Sequence, residues 1–254
     1  MLFITQPRAG RLHNEIIGLQ TMARELNWEV VGAECGWRLT DEMIATHDVG
    51  VPYGSQTFCE VISQQMNWKL IENPHDWLAK LPQEFLKRDV KFILLKEFRE
   101  MSFIRNFIFN NTLFIKPADA KCFDAKVYQP GEFNPPDVVE DNTPVLISEP
   151  VEFVEEYRCF VDGERVRTVS CYLYHGEINE PKNWYNPNCL KAKEFANRVL
   201  EAVHTEPSVV DVGLIKGKGW AVLESNQAWA SGMYGCDPYE VLQVIQQTCK
   251  NITI

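Results

Sequence analysis

Near its C-terminal end the chain reads SVVDVGLIKGKGWAVLESN, residues 208–226: two apolar runs joined by Lys216-Gly217-Lys218-Gly219. No other segment leaves the backbone so few choices. Two β-prone runs around a Gly-Lys pair predict a hairpin with a type II′ turn, glycine at its first central position. That turn pairs 216 with 219 and places Asp211 opposite Glu224. Side chains alternate along a strand, so Asn226 shares the face of Glu224, while Val210, Val212, Leu214, Ala221 and Leu223 line the other. The apolar face can pack against a helix. The other presents two carboxylates and a carboxamide, and carboxylates directly opposite each other destabilise a sheet. Unpaired burial would be worse. A divalent cation removes both objections. Three oxygen ligands, with the remaining positions left to water and phosphate, suit magnesium. A solvated polar face is the alternative, since a slip of one residue would undo the arrangement.

The preceding residues supply a framework. MLFIT reads as a strand, HNEIIGLQTMAREL as a helix with Ile16, Leu19, Ala23 and Leu26 on one face, and WEVVGAE as a second strand. QTFCEVISQQM is a further helix, and KLIEN (residues 69–73) a third strand. This β-α-β-α-β order predicts a small open parallel sheet in an N-terminal α/β domain, residues 1–84. It has no GxGxxG turn, so no dinucleotide fingerprint. Residues 74–101 are charged and helix-rich. Beyond 112, TLFIKP, FDAKVY, PVLISEP, EEYRCFV and ERVRTVSCYLYHGE are strand-like, and NCLKAKEFANRVLEAVH is a helix. The terminal helix is DPYEVLQVIQQTCK, with Asp237 as N-cap and Pro238 at its first position.

Composition narrows the function classes. The net charge of −10, from 35 acidic and 25 basic residues, repels a phosphate backbone and argues against nucleic acid as partner. No apolar run reaches the roughly 20 residues that span a bilayer. The start, MLFITQPRAGRLH, does not read as a signal peptide, so the expected location is the cytoplasm with no membrane partner. The eight cysteines form no CxxC pair and the five histidines no metal-ligand spacing, so both read as structural. No Ser-His-Asp or Cys-His constellation stands out.

Asp211 followed by a strand carrying Glu-x-Asn resembles the magnesium-holding signature of the ATP-grasp superfamily. Three further segments match in that superfamily's order. TLFIKP ends on Lys116, which the resemblance assigns to the nucleotide phosphates and the adenine edge. VLISEP resembles the interdomain hinge, where Glu149 would accept from the adenine amino group, the backbone around Val151 would read the ring edge and Glu152 would meet the ribose. EYRCFV resembles the segment whose arginine contacts the terminal phosphate; Arg158 takes that role, and Arg167 on the next strand is a second candidate. Arg88, in FLKRDVKFILL, stands where an earlier nucleotide-binding lysine is often found. The likeness spans residues 85–240 and is closest to RimK-like ligases, in particular a divergent branch that includes eukaryotic cell-division-cycle proteins assisting assembly of translation initiation factor two. The segment KPADAKCFDAKVY departs from the pattern: it lacks the glycines of the usual phosphate loop, and Lys121 would stand in for part of its role.

The resemblance implies an α/β chain, α+β in its C-terminal part: a pre-ATP-grasp domain over 1–84 and an ATP-grasp nucleotide-binding and catalytic domain over 85–254. It implies ATP and magnesium, and amide-bond formation between a carboxylate and an amine by way of an acyl phosphate. A peptide or protein is among the possible substrates. In the loop QAWASGMYG, Trp229 and Tyr234 would contact substrate and Ser231-Gly232 would offer backbone donors; Arg8 and His13 would reach the substrate from the N-terminal domain. A nucleotide-binding assembly factor that docks on a protein, and a small-molecule kinase, use the same ATP site and stay open.

Overall fold

The computed structural model describes residues 1–7, 11–33, 37–119, 122–179 and 186–252, and the side chains of all of these but 11–13. The chain opens with β1 (Leu2–Thr5), α1 (Arg11–Glu25), β2 (Glu29–Gly32), α2 (Asp41–Thr46), β3 (Gly50–Tyr53), α3 (Gln56–Met66) and β4 (Trp68–Leu70). Strands β2, β1 and β3 form a parallel sheet in that order. The expected parallel sheet is therefore present, but its third strand is Gly50–Tyr53 rather than KLIEN. The sequence pattern assigns nothing to this run of four residues; its proline is tolerated because β3 is an edge strand. The Trp68 ring lies so close to Gly50 that a Cβ there would sit 2.5 Å from it. KLIEN instead begins in β4, which pairs antiparallel with β14 (Cys249–Asn251).

The middle of the chain carries α4 (Gln83–Leu86), β5 (Val90–Leu94), α5 (Leu95–Glu100), α6 (Ser102–Asn110), β6 (Leu113–Pro117), β7 (Lys126–Tyr128) and β8 (Pro144–Ser148). These strands form a fully antiparallel sheet in the order β5-β8-β6-β7. A core of Ile93, Leu95, Phe98, Ile115, Phe133 and Ile147 packs against it. Strand β5 lies within a stretch read as helical, because its charged flanks hid five residues of strand.

The remainder supplies β9 (Phe153–Val161), β10 (Val166–Tyr174), β11 (Glu177–Ile178), α7 (Asn188–Ala202), β12 (Ser208–Ile215), β13 (Gly219–Asn226) and α8 (Pro238–Ile245). Sheet order is β11-β10-β9-β12-β13. Asp237 caps α8 by accepting from the Glu240 N–H, with Pro238 inside the first turn. The helix stops at Ile245, short of the expected end, because the tail turns into β14.

The chain divides into two compact units. The first comprises Met1–Asn73, Glu155–Gly213 and Leu223–Ile254, the second Pro74–Val154 and Leu214–Val222. In the first, Phe3, Leu19 and Val51 from the N-terminal elements share one core with Phe160, Val209, Val241 and Ile245.

Candidate functional site

The β12–β13 turn closes with a hydrogen bond from Lys218 N–H to the Ile215 carbonyl at 3.0 Å. Its central residues are thus Lys216 and Gly217, one position earlier than the sequence implied. Gly217, at φ +74°, occupies the second central position, where type II turns need glycine. The polar residues still converge. Asn226 donates from Nδ2 to Glu224 Oε1 at 2.9 Å and to Asp211 Oδ2 at 3.3 Å. One amide nitrogen therefore marks a point within reach of both carboxylates.

Neighbouring strands extend this face. Period-two alternation brings Glu156 and Arg158 of β9 to the same side. Arg158 grips Asp211 with two bonds, Nε to Oδ1 at 3.1 Å and Nη2 to Oδ2 at 2.8 Å. Asp211 is 0% exposed and the Arg158 side chain 10%. Burial works against the Arg158 charge, but Asp211 more than offsets it and holds the guanidinium above its ordinary pKa. Its third donor, Nη1, reaches the Gly232 carbonyl at 2.9 Å, and the Tyr234 and Tyr172 rings flank it at 4.5 and 5.5 Å. Tyr172 sits where the β9–β10 pairing shifts register. Burial, then Asp211 and Glu156, push its hydroxyl pKa up, so it stays a neutral donor. Burial also raises the Glu156 carboxyl, with Asp211 and Glu224 acting in the same direction and Tyr172 opposing.

Among the described residues, no group of three or more His, Cys, Asp or Glu is disposed to hold a metal ion. The donors at this point are two carboxylates and one carboxamide, too few for an all-protein cage. They fit a hard cation such as magnesium that keeps water and phosphate oxygens in its remaining positions. A flip of the Asn226 amide would turn its oxygen toward the same point.

The loop after β13 is tied to its own unit at nearly every residue. The Trp229 ring is buried, its indole N–H donating to the Ile71 carbonyl at 3.1 Å. Ser231 accepts the Tyr53 hydroxyl on its carbonyl at 2.6 Å and donates from its own hydroxyl to Gln227. Gly232 offers its carbonyl to Arg158, as above. The next two residues turn their amides to a single acid: Met233 N–H and Tyr234 N–H both donate to the Glu15 carboxylate. Glu15, Glu156 and Tyr172 were missed in the sequence. Only the two-residue spacing of Glu156 from Arg158 offered a signal.

In the second unit the candidates are held more loosely. Glu149 pairs with Lys218 at 2.9 Å and Glu152 with Lys216 at 3.0 Å, all four well exposed. Val151 lies between them, half-buried. Lys116 is half-buried in β6, opposite Leu146. Arg88 is an exception: it is buried, donates to the carbonyls of Leu86 at 3.1 Å and Val222 at 2.8 Å, and lies over the Phe153 ring. In the first unit Arg167 bridges Glu240 of α8 at 2.7 Å and Asp162 at 3.5 Å. Arg8, Lys121 and the His13 side chain lie outside the described residues.

A family profile described as an ATP-grasp domain, family 2 of the R-two-K clade, matches residues 85–244. No curated protein matches the chain. Among solved structures, D-cycloserine synthetase DcsG superposes with a TM-score of 0.62 at 13% identity, covering 97% of this chain and 99% of that one. A RimK domain ATP-grasp protein from Sphaerobacter thermophilus gives 0.52 at 12% identity, over 96% and 99%. The D-alanine–D-alanine ligase of Bacillus anthracis complexed with ATP gives 0.51 at 14%, over 97% and 96%. At such identities the likeness is one of fold, and it runs nearly the whole length of the chain. No helix among the described residues is long and apolar enough to cross a membrane.

Proposed function

The chain belongs to the ATP-grasp domain family, and from that membership we propose that it is an ATP-dependent carboxylate–amine ligase. The observation that carries the proposal is the convergence of the buried Asp211 with the half-buried Glu224 and Asn226 on one point of a sheet face. Arg158 already offsets Asp211, and a cation at this point would offset Glu224 as well.

In this reaction the substrate carboxylate attacks the terminal phosphorus of ATP and ADP leaves. An amine then attacks the acyl carbon, loses a proton and expels phosphate. Alignment and charge neutralisation do most of the catalytic work, and the reaction needs no protein nucleophile. Asp211, Glu224 and Asn226 would hold magnesium, which when bound offsets phosphate charge. Arg158 keeps a permanent positive charge beside Asp211, and its guanidinium is the group suited to the terminal phosphate. Arg167 is the second candidate for that role. Lys116 would contact the phosphates, with Arg88 and Lys121 as further cations. Glu149, Val151 and Glu152 would serve adenine and ribose. Trp229, Ser231, Gly232 and Tyr234 belong to the loop that would border the substrates, a small-molecule, peptide or protein pair. The proposed setting is the cytoplasm.

Magnesium-ATP should raise the melting temperature, since a ligand that binds only the folded state stabilises by ~2.7 kcal/mol at 100-fold over its dissociation constant. ADP release should require both a carboxylate and an amine. The absence of a shift with millimolar ATP, with and without magnesium, would overturn the proposal.

A further inference from the structure

Glu15 is a buried acid that the ligase proposal does not use. It lies on α1, in the N-terminal part of the first unit, and is 7% exposed. A buried carboxylate needs strong partners. Its partners include two backbone amides far along the chain, Met233 N–H at 2.9 Å and Tyr234 N–H at 3.3 Å, one on each oxygen. Successive amides of this kind form a concavity suited to an anion. Tyr234 itself has φ +50° and is followed by Gly235 at φ +84°. A tyrosine in the left-handed region persists only where its surroundings hold it.

What Glu15 holds leads directly to the acidic cluster. The Tyr234 ring lies 4.5 Å from the Arg158 guanidinium carbon, and the Gly232 carbonyl takes Arg158 Nη1. Arg158 in turn fixes both oxygens of Asp211. A chain of direct contacts thus runs from Glu15 through Tyr234 to Arg158 and Asp211. Beside Glu15, a cavity of about 20 Å³ is lined by Tyr53, Gly54, Ser231 and Gly232. It has room for a single water. If Glu15 were shortened, water would satisfy the two amides but would not fix the loop.

We propose that Glu15 is a positioning residue: its grip on the Met233 and Tyr234 amides sets the Tyr234 ring and the Gly232 carbonyl against Arg158, and so sets the orientation of Asp211. The consequence for metal and nucleotide rests on the ligase proposal; the consequence for Arg158 does not.

The deciding experiment follows hydrogen exchange of the Arg158 Nε–H by NMR in arginine-labelled, nucleotide-free protein, the signal being assigned with Arg158→Lys. In folded Glu15→Gln and Glu15→Ala the exchange should quicken by about tenfold or more, equivalent to ~1.4 kcal/mol of local stability. Tyr234→Leu keeps both amide donors and Glu15 but removes the ring, and should release Arg158 similarly, which keeps the proposal open to test if the Glu15 variants fold poorly. Where magnesium strengthens ATP binding in the wild type, that enhancement should shrink in Glu15→Ala while metal-free ATP binding holds. An Arg158 signal protected as in the wild type in folded Glu15→Gln, or in Tyr234→Leu, would overturn the proposal: in the first case Glu15 would only anchor α1, in the second the Tyr234 ring would not carry its effect. Failure of the wild type to bind magnesium-ATP would sink the ligase proposal and leave the Arg158 result standing.

Discussion

Asp211 and Glu152 are both carboxylates paired with a cation, yet they are held in opposite ways. Asp211 is fully buried, takes two bonds from Arg158 and a third from Asn226, and its cation is itself flanked by two tyrosine rings. Glu152 meets Lys216 at 3.0 Å with more than half of each side chain exposed. Water and salt screen the exposed pair, so its charges are nearly independent of each other. In the buried cluster every charge is conditional on its neighbour. The same residue types therefore carry different risks when changed: in one region the charges are tied to folding, in the other they are not.

The severest way to break this contrast is to neutralise one buried partner. Asp211→Asn or Arg158→Met should cost about 3–5 kcal/mol in urea unfolding, because the remaining charge stays buried and uncompensated. A loss comparable to that of a surface pair would show that the cluster is not held as its geometry indicates. Glu224→Gln is a gentler change. It keeps shape and the Asn226 contact, so melting should move little, while magnesium-dependent ATP turnover falls by about 10²–10³-fold, the size expected when one element of charge stabilisation is lost.

Glu156 sharpens the contrast through pH. Burial holds its carboxyl pKa above the ordinary value. A raised folded pKa means that the stabilising contribution is complete below the unfolded value and disappears as pH rises through the folded one. Glu156→Gln should therefore be more stable than the wild type at neutral pH, and the gap should close near about pH 4, where the wild-type acid is protonated. A gap that is the same in thermal melts at both pH values would contradict the assignment. The smallest effect belongs to the second unit. Lys216→Ala and Lys218→Ala should each change stability by less than about 1 kcal/mol, and less still at high salt.

Local pattern reached far into this molecule. Alternation along 208–226 was enough to put Asp211, Glu224 and Asn226 on one side of a hairpin, and that held even though the turn closes one residue earlier than its glycines implied. The strand at 113–117, the helix from Asn188 to Ala202 and the Asp237 cap follow equally from periodicity and capping chemistry. The ATP-grasp likeness rested on those same local segments. Short elements escaped for the converse reason. Gly50–Tyr53 and Cys249–Asn251 have too few residues to show a period, and they become strands only because β1 and β4 lie alongside them.

Partner choice was beyond any local rule. Arg158 finds Asp211 across 53 residues of sequence, and Glu15 finds Met233 across 218. An arginine that reads as open to phosphate, and a glutamate that reads as one more surface charge on a helix, acquire their places only when the first and last thirds of the chain pack into one core. The sequence by itself determined which faces are polar, because side-chain direction is fixed by the backbone repeat. The tertiary structure decided which charges meet on them, because burial makes an unpaired charge too costly to leave alone and only packing settles which partner is within reach.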